Sequence, residues 1–71
     1  MSYRIRPRLW DLLAEQERNL PWLARSAGYS AQYLRLLKAG LRPTVSATFA
    51  QRVAAVMGRA VDELFEPVER S

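Results

Sequence analysis

Each of the three glycines in this chain follows a short stretch with helical apolar spacing, and this pattern constrains the fold more than any other feature. Gly28, Gly40 and Gly58 stand where helix C-termini are expected, because glycine readily takes the left-handed conformation that ends a helix. Asn19 and Ser30 precede two of these stretches, and both residue types are favoured as helix N-caps. The chain is therefore predicted to form short helices joined by tight turns.

Read along its whole length, the sequence predicts a single, compact, all-α domain of five helices. The predicted helices cover about 8–17, 20–27, 31–39, 46–57 and 61–65 of the 71 residues, and the last runs to Phe65. The core is expected at about 8–66, with a short N-terminal arm and a tail from Val68 to Ser71. Tyr3 to Arg6 alternates apolar and charged residues, which is a weak strand signal. Pro7 ends this segment, and no strand is predicted for it.

The composition argues against several classes of function. The chain has no His and no Cys, which removes disulfides and the commonest zinc ligands. A catalytic site would have to use carboxylates, Lys, Ser, Thr or Tyr, and Glu15 and Glu17 are too close on one helix to face the same way. We expect no enzyme, no metal and no cofactor. The apolar runs fall far short of the roughly 20 residues of a membrane span, so no membrane contact is expected. The absence of Cys fits a reducing compartment, and a cytoplasmic protein is expected.

The distribution of charge says more than the net charge of +4. All seven acidic residues lie towards the two ends of the chain, and none occurs between Arg18 and Val61. The same block contains seven basic residues: Arg18, Arg25, Arg35, Lys38, Arg42, Arg52 and Arg59. Most protein surfaces mix the two signs. A long block without carboxylates therefore indicates a polyanionic partner, most simply nucleic acid.

The second and third predicted helices have the spacing of a helix-turn-helix. Ala24 is small where two helices must cross closely, Gly28 permits a short corner, and Ser30 caps the next helix. Leu34 and Leu37 would hold that helix to the core. Such a pair of helices presents the second one to the major groove of DNA, although an ordinary helical hairpin has the same spacing.

In this pattern the chain resembles the Cro/phage-repressor (XRE-type) helix-turn-helix family over roughly Leu9 to Phe65. The residues that carry the resemblance are Leu9, Leu12, Leu23-Ala24, Gly28-Tyr29-Ser30, Leu34, Leu37, Gly40, Arg42-Pro43, Met57-Gly58 and Val61-Asp62-Glu63-Leu64. The resemblance implies a five-helix, lambda-repressor-like domain that binds DNA as a dimer and regulates transcription. It also implies a prokaryotic or phage-encoded protein.

The chain departs from the family pattern at three places. An Arg and a Glu that commonly pair in the family are replaced here by Leu13 and Lys38, so that no lone buried charge need remain. Leu20 stands where the family often has a phosphate-binding Gln. The loop spacing from Leu41 to Thr48 also differs.

Helix geometry predicts which side chains would touch DNA. With Leu34 and Leu37 turned to the core, the residues expected to contact bases are Ala31, Gln32, Tyr33 and Leu36. Gln32 can pair bidentately with adenine, and Ala31 and Leu36 can meet thymine methyl groups. The residues expected to contact phosphates are Asn19, Arg18, Arg25, Arg35, Lys38 and Arg42.

The predicted function is a sequence-specific, double-stranded DNA-binding transcriptional repressor that binds a palindromic operator as a homodimer and senses no small ligand. A helix-turn-helix used for protein contact, as in an antitoxin or accessory subunit, is the alternative, because fold alone does not fix function. The dimer contact is expected at Trp10, Val61, Phe65 and Val68, or through pairing of Tyr3–Arg6 segments. Partial core burial is nevertheless the favoured interpretation of Trp10 and of Trp22.

Overall fold

A computed structural model describes residues 2–68 and contains five helices, as the sequence predicts, together with strands that it does not. The helices are α1 (Arg8–Glu15), α2 (Leu20–Ala27), α3 (Ala31–Lys38), α4 (Ala47–Met57) and α5 (Val61–Leu64). Every helix begins and ends within about two residues of its predicted bounds, as expected when end signals are local.

Side-chain caps explain where the middle helices begin. The side-chain oxygens of Asn19, Ser30 and Ser46 each accept a hydrogen bond from the backbone N–H three residues further on, at 2.9, 3.1 and 3.1 Å respectively. Each cap satisfies one of the N–H groups that a helix start leaves without a partner. Ser46 is therefore the cap of α4.

The prediction of an all-α fold is wrong, because the chain also forms a three-stranded antiparallel sheet. The strands are β1 (Ser2–Ile5), β2 (Val45–Ser46) and β3 (Phe65–Val68), in the order β2-β1-β3. The predicted N-terminal arm is thus the central strand. Phe65 belongs to a strand instead of the last helix, and Val68 extends that strand instead of beginning a tail. Residues 69–71 of the predicted tail lie outside the described residues. The architecture is a small α+β domain.

The pairing of β1 with β3 joins the two ends of the described chain. Ser2 pairs with Val68 and Ile5 with Phe65, and the Arg6 N–H donates to the Leu64 carbonyl at 2.9 Å. Along an antiparallel strand, alternate residues direct their N–H and C=O to the same neighbour. Because Leu64 is bonded to β1 through Arg6, the backbone groups of Phe65 and Pro67, one and three residues further on, face away from β1.

The open side of β3 offers almost nothing to a further strand. Pro67 has no N–H, and the Phe65 N–H donates to the Val61 carbonyl. The Phe65 carbonyl accepts a hydrogen bond from Arg6 Nε at 3.3 Å, and the same Nε lies 3.1 Å from the Asp62 carbonyl. A proline is tolerated in a strand where its missing N–H would face outward.

The core lies between the helices and the inner face of the sheet. Its fully buried large side chains are Phe49, Phe65, Leu9, Leu23, Leu34, Leu64 and Val53. Trp10 and Trp22 are half-buried against this core, which is the interpretation that the sequence favours. No buried side-chain polar atom within residues 2–68 lacks a hydrogen-bond partner.

Candidate nucleic-acid interface

The corner between α2 and α3 is built by residues with strong local preferences. Gly28 has the left-handed φ of 84°, and the Tyr29 N–H donates to the Ala24 carbonyl at 2.8 Å. This bond closes the last turn of α2. Ser30 then caps α3, so that only Gly28 and Tyr29 separate the end of one helix from the cap of the next.

An aromatic cluster fixes α3 from behind. The ring centroid of Phe49 on α4 lies 4.8 Å from that of Tyr29, 5.7 Å from that of Tyr33 and 6.2 Å from that of Phe65. Leu34 and Leu37 are buried beside it. The corner, α3 and the last strand therefore meet at a single phenylalanine.

The outward surface of α3 brings together most of the side chains predicted to contact bases. Gln32 and Arg35 are exposed, whereas Ala31 and Leu36 are half-buried. Tyr33 differs, because its half-buried ring packs against Phe49 and turns towards the core side of the helix. In this arrangement Tyr33 packs α3 against the core.

Most cations of the acid-free block have no ion-pair partner in the described part of the chain. The three ion pairs there join Arg4 to Glu66, Arg8 to Glu15 and Arg59 to Glu63. Only Arg59 among them belongs to the block. The other six bases, which carry no carboxylate within 4.0 Å over residues 2–68, are Arg18, Arg25, Arg35, Lys38, Arg42 and Arg52.

Three of these cations converge on one cleft, of about 350 Å³, between α1, the start of α2 and the end of α3. Arg18, Arg35 and Lys38 line it, and the Arg18 guanidinium lies 4.6 Å from the ring centroid of Trp22. Asn19 also lines the cleft, but its Oδ1 caps α2, which leaves the side-chain NH₂ as the group that can donate to an anion.

Two further clefts hold the remaining cations. Arg42 lines one of about 250 Å³ beside Trp10, and its guanidinium lies 6.0 Å from the Tyr33 ring centroid. Arg25 lies apart from these, in a groove of about 420 Å³ between the end of α2 and the middle of α4. The fold therefore places neither Arg25 nor Arg42 in the cleft lined by Arg18, Arg35 and Lys38.

Arg52 is a cation that the predicted phosphate contacts do not include, and the fold places it with Arg25, apart from the cleft lined by Arg18, Arg35 and Lys38. It lines the same groove as Arg25, and its Nη1 lies 3.4 Å from the point that a Cβ on Gly28 would occupy. Membership of the acid-free block was the one available signal, because the packing of α4 on the corner between α2 and α3 is a long-range contact. The guanidinium there faces the C-terminal end of α2, where a cation is favoured.

The residues predicted to form a dimer contact are largely buried or paired within a single copy. Phe65 is fully buried, and Trp10, Val61 and Val68 are half-buried. The Tyr3–Arg6 segment lies mostly in the middle strand of the sheet and cannot pair with a second chain there. Among residues 2–68, Leu41 is the one large apolar side chain that is exposed, at 70%.

Comparison of the chain with protein-family models, with curated proteins and with solved structures found no match. Within the described residues, no helix has the length and apolar character needed to cross a membrane. Residues 2–68 also contain no group of three or more acidic, His or Cys side chains that could hold a metal ion.

Proposed function

We propose that the protein binds double-stranded DNA with α3 in the major groove and regulates transcription, as a repressor that occludes a promoter. The observation that carries this proposal is the cleft lined by Arg18, Arg35 and Lys38 beside the exposed face of α3. None of these three cations has an ion-pair partner among residues 2–68. Free guanidinium and ammonium groups release counterions from DNA when they meet phosphates, whereas paired groups would first have to lose their carboxylates.

The cationic cleft would supply affinity for DNA, and the exposed face of α3 would supply sequence specificity. Arg18, Arg35 and Lys38 surround one cleft and would contact phosphates, which positions the protein without reading sequence. Gln32 is exposed on α3 and carries the amide that can pair with adenine N6 and N7. Two copies on a palindromic operator would place two α3 helices in successive major grooves, about 34 Å apart.

Selection of bound duplexes from a random pool tests this function most directly. We expect a consensus with two inverted half-sites whose centres are about one helical turn apart. Binding of the selected duplex should weaken steeply as salt rises. A wild-type protein that binds no duplex at low salt would contradict the proposal.

Three substitutions separate the roles of the side chains. Gln32→Ala should relax sequence preference at one position of each half-site, while Arg35→Ala should weaken all sequences alike and lower the salt slope by about one. Arg59→Ala is the matched control, because Arg59 is already paired with Glu63 at 3.6 Å. We expect its affinity and salt slope to match those of the wild type.

A protein-contact function is the second candidate, and the exposure of Leu41 favours it. An exposed leucine beside a helix-turn-helix suits a partner protein better than a phosphate backbone. Under this alternative, Leu41→Ser would abolish binding to the partner, and the binding would depend only weakly on salt. The steep salt dependence expected for DNA distinguishes the two.

A further inference from the structure

We propose that Leu36 recognises the C5-methyl group of a pyrimidine in the major groove, so that the site accepts thymine and 5-methylcytosine and disfavours uracil and unmodified cytosine. This specificity presupposes the DNA binding proposed above. It names the chemical group that the exposed surface of α3 selects beside the adenine read by Gln32.

The placement of Leu36 on α3 suits a rigid apolar contact. Gln32 and Leu36 are four residues apart and therefore lie on the same side of the helix, one turn from each other. Leu36 is half-buried, so that part of the residue remains open to a ligand.

Backbone hydrogen bonds fix the helix at this residue. The Leu36 carbonyl accepts from the Leu41 N–H at 3.0 Å, and the Leu37 carbonyl accepts from the Gly40 N–H at 3.1 Å. These two bonds form the Schellman motif that closes a helix C-terminus. Leu36 therefore lies in a last turn that cannot fray without breaking the motif, and its open surface keeps a defined position.

The edges of the base pairs offer one apolar group to such a side chain. In the major groove the bases present hydrogen-bond donors and acceptors, and thymine alone adds a C5-methyl group. Leucine against a donor or acceptor would remove it from water without giving it a partner, which costs roughly ten-fold in affinity. Because 5-methylcytosine carries its methyl group on the same ring carbon, a contact that depends on that group treats the two pyrimidines alike.

The test removes single methyl groups from the DNA. In the duplex recovered by selection, each thymine is replaced in turn by uracil, and binding is measured by fluorescence anisotropy. We expect one position in each half-site where uracil weakens binding about four-fold, the value for one buried methyl group. At that position, a 5-methylcytosine–guanine pair should bind about four-fold more tightly than a cytosine–guanine pair.

Protein variants assign the effect to Leu36. Leu36→Ala should weaken binding to the thymine duplex and remove the difference between thymine and uracil. Leu20→Ala is the matched control, because Leu20 is also half-buried but begins α2, and it should keep the full uracil effect. If the alanine variant fails to fold, Leu36→Met replaces it in the test. Methionine retains an apolar side chain of similar reach, so this variant should fold and keep the discrimination between thymine and uracil.

Each contrary result has a distinct meaning. If the selected duplex is bound and uracil weakens binding at no position, recognition of a methyl group is wrong and DNA binding stands. A consensus without thymine beside the adenine, or an uracil effect that survives in Leu36→Ala, would equally overturn the role of Leu36. Failure to bind any duplex would remove the proposed function, and the specificity of Leu36 with it.

Discussion

Replacing Phe49 by leucine is expected to loosen the packing of α3 against the core. Phe49 is 1% exposed, and its ring meets Tyr29, Tyr33 and Phe65 at centroid distances of 4.8, 5.7 and 6.2 Å. Leucine keeps most of the apolar burial but has no ring. The three aromatic contacts would be lost together, and a small void would remain.

The expected loss of stability follows from these contacts. An aromatic pair contributes about 0.5–1.5 kcal/mol to stability beyond its buried area. Part of each contribution is regained when the neighbouring side chains relax. We expect Phe49→Leu to lower the free energy of unfolding by about 2–3 kcal/mol. A chain of this length is stable by roughly 4–10 kcal/mol, and the midpoint temperature should fall by roughly 10–20 °C.

Urea unfolding followed by circular dichroism measures this effect, with the dependence on urea concentration expected to stay unchanged. Leu41→Ala is the control, because Leu41 is 70% exposed and should change stability by no more than about 0.5 kcal/mol. A Phe49→Leu variant as stable as that control would show that the aromatic cluster does not hold α3 in place, and the reasoning from ring geometry would be refuted.

Local features of the corner give three further expectations. Gly28→Ala should cost about 1–2 kcal/mol in thermal unfolding, because alanine is strained at a φ of 84°; adding Arg52→Ala should not recover this loss if backbone strain is its cause. Ser30→Ala should cost about 1 kcal/mol through loss of the α3 cap at 3.1 Å, whereas Ser30→Asp should retain stability in the same assay. Arg6→Ala should destabilise the junction of α5 and β3 by about 1–2 kcal/mol, since Arg6 Nε lies 3.1 Å from the Asp62 carbonyl, and hydrogen exchange at that junction should rise.

The helices were predictable because their signals are local. Asn19, Ser30 and Ser46 each bond a backbone N–H only three residues away, and Gly28 ends α2 within the same turn that it closes. Such interactions are encoded within a few neighbouring residues, so that spacing and residue type suffice to find them.

The sheet was missed because its pairing is not local. Ser2 pairs with Val68, and no pattern in either segment identifies the other as its partner. β2 has two residues, too few for any alternation to register, and Pro67 counts against a strand in sequence although it is tolerated on an outer edge. The same limitation hid Arg52, whose position at the corner depends on the packing of α4 against α2.

Under the proposed function, the sheet also constrains how two copies would share one operator. Beyond β3, an incoming strand would meet Pro67 without an N–H and Phe65 with its N–H and carbonyl already bonded. Over residues 2–68, Leu41 is the one large apolar side chain that is mostly exposed, and a single side chain is far less than a stable dimer interface buries. Two copies on a palindrome would therefore be held mainly by the duplex, which raises their local concentration through two adjacent half-sites. The affinity gained by binding a full site instead of a half-site should then depend on the spacing between the half-sites and not on the stability of a preformed dimer.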